Sequence, residues 1–80
     1  MSTTVVTHQV LDCSGLACPM PILKTRKTLD GLQIGQVLKV ITTDPGSVSD
    51  MEAFTRKTGY WLVESERING TYVFYIQKSK

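Results

Sequence analysis

β-Branched and apolar residues crowd the stretch from Val5 to Asp12 and give out at Cys13-Ser14-Gly15, a pattern that predicts a first strand closed by a turn. Beyond the turn the period changes. From Pro19 to about Leu32, Ile22, Leu29 and Leu32 recur at helical spacing with Thr25 between them. Lys24, Lys27 and Asp30 fall mostly elsewhere, which predicts a helix with a basic side. Gly31 and Gly35 bracket its end. Val37 to Thr43 is apolar almost without a break around Lys39, as an interior strand would be. Asp44-Pro45 then reads as the N-cap and first position of a second helix, with Ser47-Val48-Ser49-Asp50 as an alternative capping box. Val48, Met51 and Phe54 give that helix its apolar stripe, and Gly59 is its stop. Last come two extended runs, Tyr60 to Ile68 and Thr71 to Lys78, flanking Asn69-Gly70, the dipeptide best suited to a two-residue hairpin turn. In the final run Tyr72, Phe74 and Ile76 alternate with Val73, Tyr75 and Gln77, so one face can be buried while the other is amphipathic.

The predicted order is β-α-β-α-β-β. A strand-helix-strand unit closing right-handed makes the first two strands parallel, and the hairpin adds an antiparallel pair. The expected fold is an α/β two-layer sandwich, a four-stranded mixed sheet with both helices on one face. It forms one domain over residues 1–80. Such a fold places the loop after the first strand at that strand's carboxyl end, where chemistry collects in folds of this kind.

Composition narrows the function. Eighty residues with 41% hydrophobic content support a single modest core. A formal charge of +2 is too small to imply nucleic acid or an anionic membrane by itself, although Lys24, Arg26, Lys27, Arg56 and Lys57 concentrate it locally. The N-terminal residues carry no basic-then-apolar targeting pattern and no long apolar run follows, so the expected location is the cytoplasm. There, two cysteines are expected as free thiols. His8 has no partners with which to assemble a metal site, and neither metal nor cofactor is expected.

The densest chemical signal is Cys18-Pro19-Met20-Pro21. Proline suits the first turn of a helix, so Cys18 is expected as N-cap, with its sulfur beside the positive end of the helix dipole. That setting lowers a thiol pKa and favours the nucleophilic thiolate. Because Pro19 and Pro21 supply no N–H, Met20 N–H is the main local donor left to face the sulfur, and the depression should be moderate. Gly15 lets the loop turn, and small Ala17 leaves the sulfur accessible. Arg26 and Lys27 lie roughly two turns along the helix, too far to touch the sulfur and better placed to steer an acidic partner.

Leu11-Asp12-Cys13-Ser14-Gly15-Leu16-Ala17-Cys18-Pro19-Met20-Pro21 resembles the N-terminal signature of the TusA-like, or SirA-like, sulfur carriers. Arg26-Lys27 falls at the family's basic position, and Asp44-Pro45 with Asp50 matches the start of its second helix. Two positions depart from the commonest pattern: Met20 stands where many relatives carry an acidic residue, and Cys13 is an extra thiol. The resemblance implies a sulfurtransferase-type carrier rather than a free-standing enzyme. Cys18 would accept a sulfane sulfur as a persulfide from a cysteine desulfurase or rhodanese-like donor and pass it to a downstream relay protein. The family's acceptors serve tRNA thiolation, cofactor biosynthesis or dissimilatory sulfur oxidation, with no direct nucleic-acid or membrane contact. Cys13 is left as a structural residue, an auxiliary thiol or the partner of Cys18 in a redox pair. The competing functions are a thiol-disulfide redox protein using Cys13 and Cys18, and a nucleic-acid-binding or regulatory module using mild basicity and exposed aromatics.

Overall fold

The computed structural model describes residues 7–17 and 19–79. The elements run β1 (Gln9–Cys13), α1 (Met20–Asp30), β2 (Val37–Thr42), α2 (Ser47–Thr58), β3 (Trp61–Ile68) and β4 (Thr71–Gln77). They form one four-stranded sheet in the order β1-β2-β4-β3, with β1 parallel to β2 and the other pairs antiparallel. The expected mixed sheet and two-layer architecture are therefore observed.

Alternation along the strands builds the core. Leu38, Val40 and Thr42 of β2 stand in register with Ile76, Phe74 and Tyr72 of β4, while Leu11 and Cys13 of β1 align with Val40 and Thr42. Onto this face α1 lowers Pro21, Thr25 and Leu29, spaced four apart so that they share one side of the helix. Met51 and Phe54 from α2 complete the cluster with Leu29, Leu38, Val40, Phe74, Ile76 and Cys13. Truncating a buried Phe or Leu in such a core costs about 2–5 kcal/mol, a large part of what a small domain has.

Several boundaries differ from expectation for local reasons. The first strand includes Cys13 and begins at Gln9; Val5 and Val6 lie outside the described residues. His8 precedes the strand. Its N–H donates to the Val37 carbonyl at 2.9 Å, and its Nδ1 accepts the Val37 N–H at 3.0 Å, so a side chain extends the β1–β2 pairing. The second helix starts at Ser47, with Gly46 as N-cap, rather than at Pro45. Asp44 captures the next donors itself: its Oδ1 accepts the Gly46 N–H at 3.2 Å and its carbonyl accepts the Ser47 N–H at 3.0 Å, which closes a turn before the helix can begin. Ser47 does not act as a capping-box residue. Its buried hydroxyl is 2.6 Å from Thr42 Oγ1 and donates to the Asp44 carbonyl. The hairpin turn is as expected, with Asn69 at φ +48° and Gly70 at φ +80°. Among the described residues no helix is long and apolar enough to cross a membrane.

Candidate functional site at the first strand-to-helix junction

β1 delivers the chain to the site through Cys13, whose side chain is 0% exposed. Burial pushes the Cys13 thiol pKa up; Lys24 opposes this and Asp12 adds to it. Cys13 is a free thiol in the core, not on the surface of the loop.

The turn that follows is pinned on both sides. Ser14 N–H donates to Asp12 Oδ1 at 2.9 Å, and Leu16 N–H donates to the Cys13 carbonyl at 3.1 Å. Hydrogen bonds from the Ser14 hydroxyl and backbone hold the Asp12 carboxyl below its usual range. Gly15 has φ +80°, the left-handed region where a side chain is strained, and its N–H donates to Thr43 Oγ1 at 2.8 Å. Thr43 immediately follows β2, so this bond ties the loop to the end of the neighbouring strand.

Cys18 itself lies outside the described residues. Its flanks are placed: Ala17, Pro19 and Met20 are all exposed, while Pro21 is buried. Helix α1 begins one residue later than expected, with Pro19 rather than Cys18 as N-cap. At φ −98° and ψ 12°, Pro19 has a turn conformation, and Pro21 then falls in the first turn where a missing N–H costs nothing. Met20 N–H, expected to face the sulfur, instead donates to the Ala17 carbonyl at 2.9 Å, and Leu23 N–H takes the Pro19 carbonyl at 3.1 Å. These bonds fasten the residues on either side of Cys18 to each other and to the helix.

From Pro19 a groove of about 420 Å³ runs between the two helices. Ile22, Ala53 and Phe54 give it apolar walls, and Arg26, Asp50 and Lys57 bring charge to it. The structure thus joins Arg26 to Pro19 in one concavity and leaves Lys27 exposed outside that lining. Lys57 and Phe54 were not predicted as part of this surface; only the packing of α1 beside α2 brings them to it. Thr43 was also missed, because its partner Gly15 is distant in sequence. Among the described residues no group of three or more His, Cys, Asp or Glu could hold a metal ion.

Residues 9–78 match the family described as Sulfurtransferase TusA. The chain belongs to the TusA family. It is 55% identical over 71 residues to the sulfur carrier protein TusA of Allochromatium vinosum, an alignment covering 89% of this chain and 93% of that one. Its fold is similar to that of a solved SirA-like protein from Desulfitobacterium hafniense, with a TM-score of 0.78, 26% identity, and coverage of 90% of this chain and 99% of the other. The TusA-family match spans both sides of the junction, from Gln9 in β1 to beyond β4.

Proposed function

We propose that this chain is a sulfur carrier of one domain, residues 1–80, in which Cys18 is the sulfur-bearing residue. The observation that carries the reading is the 55% identity to a sulfur carrier protein across almost the whole of both chains. The Cys18 thiolate attacks the outer sulfur of a donor persulfide. A new S–S bond forms to Cys18 as the donor's S–S bond breaks, and the donor leaves as a thiolate, so no external oxidant or reductant is consumed. A second thiolate, on the acceptor, repeats the exchange. The donor is a cysteine desulfurase or rhodanese-like protein, and the acceptor is the next protein of a relay in the cytoplasm. The hydrogen bonds at Ala17, Pro19 and Met20 support a loop whose flanks are held, and Gly15 and Pro21 support the loop and helix start. Arg26 serves docking, beside the groove it lines. Cys13 is the weaker candidate for attack, since its side chain is buried and its thiol resists ionisation.

Incubation with a persulfide donor followed by intact mass tests this. The parent and Cys13→Ser gain about 32 Da per sulfur atom, whereas Cys18→Ser gains nothing and keeps its circular dichroism spectrum. Loading that survives Cys18→Ser and vanishes in Cys13→Ser refutes the assignment.

A further inference from the structure

The helices cover one face of the sheet and leave the other bare. Alternation puts Val10, Ile41, Tyr75, Trp61 and Ile68 on the bare side, in register with one another or with neighbours on that side. Three of these are well exposed: Val10 at 55%, Trp61 at 61% and Ile68 at 56%. Charge is distributed unevenly around them. Asp12 lies on edge strand β1 opposite Ile41, while Glu64 and Glu66 lie on edge strand β3 opposite Tyr75 and Val73. The one cation among these positions is Lys39, in the interior of the sheet, with its Nζ 5.9 Å from the Tyr75 ring centroid. The bare face therefore carries exposed apolar side chains interspersed with carboxylates on its two edge strands, with Lys39 and Tyr75 between them. The helical side has the opposite balance, since α1 and α2 carry Lys24, Arg26, Lys27, Arg56 and Lys57 against Asp30, Asp50 and Glu52.

We infer that the bare face is a second protein-docking surface, fitted to a partner that presents apolar side chains interspersed with lysine or arginine. Tryptophan and tyrosine are enriched among the residues that carry binding energy at such surfaces, and opposite charges beside them add encounter rate and orientation. A second copy meeting face to face does not fit. In an aligned stack the two-fold axis sets β3 over β3 or β3 over β1, and either places carboxylates against carboxylates. Nucleic acid does not fit either, because Trp61 and Tyr75 share their face with carboxylates that repel phosphate. The groove at Pro19 lies on the helical side, so the two surfaces can be occupied at once.

Trp61 is the only tryptophan of the chain and borders both this face and a concavity shared with Glu52, Thr55 and Arg56 of α2, so its fluorescence reports on this edge of the sheet and the Glu64 and Glu66 variants assign the response to the bare face. The probes are two synthetic amphipathic helical peptides, one of leucine and lysine and one of leucine and glutamate. The leucine-lysine peptide shifts Trp61 emission to the blue in a saturable way, binds less tightly as salt rises, and leaves Cys18 alkylation unchanged. Glu64→Lys with Glu66→Lys weakens that binding by about tenfold or more. The milder Glu64→Gln with Glu66→Gln pair serves if the first variant does not fold. The inference is overturned by no shift, by an equal response to the leucine-glutamate peptide, or by binding indifferent to both variants. It is equally overturned by a concentration-dependent blue shift with doubled sedimentation mass in the absence of peptide, or by quenching of Trp61 by single-stranded DNA.

Discussion

A buried cysteine is governed by its immediate surroundings. Cys13 closes a strand and points into the core, so burial favours the uncharged thiol. Its folded pKa is raised, so the unfolded chain releases the proton first as pH rises past the free value of about 8.5, and stability is lost above that point. Urea unfolding of Cys18→Ser across that range should show a midpoint that falls, and the additional change Cys13→Ala should remove the thiol's share of the fall. Thr25 offers a different test. Its hydroxyl is buried with no hydrogen-bond partner among the described residues, so Thr25→Val, which keeps the branched shape and drops the oxygen, should raise stability by about 1 kcal/mol in the same unfolding measurement. Sequence alone does not disclose either effect. Cys13 was expected to break the strand, and it is buried because the strand runs one residue further, returning its side chain to the core face.

The elements themselves were largely legible, and the exceptions share a cause. Gly59 and Asn69-Gly70 were readable because a positive φ is a local demand, met by glycine or asparagine wherever it arises. Both helix starts were placed too early. Each was assigned from a proline, but Pro19 and the Asp44-Pro45 segment close turns first, and the helices begin only after those hydrogen bonds are satisfied. The inter-helix groove was not legible, since it depends on which residues of α2 lie beside Ile22 and Arg26. It separates two neighbours that a charge count treats alike. Arg26→Glu should slow sulfur transfer from an acidic donor protein by about tenfold at low salt, Lys27→Glu by less, and neither should change the rate at which iodoacetamide alkylates Cys18. Equal effects from the two reversals would remove the groove from the docking account.

As a whole the molecule gathers its two strand-to-helix loops at one end and divides its charge between two sides. Parallel pairing of β1 with β2 sends both following helices off from the same end of the sheet, where Gly15 N–H meets Thr43 Oγ1. The far end is fastened separately: Lys78 Nζ donates to the Leu32 carbonyl at 2.8 Å, binding the tail of the last strand to the segment after α1. Yet β1 is an edge strand of five residues, joined to the sheet along β2 alone. Its amides should therefore exchange with deuterium before those of β2 and β4, and exchange mass spectrometry can rank them. A brief detachment of this one strand would leave the three-stranded remainder standing, so the Cys13–Gly15 turn is suspended from the part of the framework that yields first when a partner pulls on it.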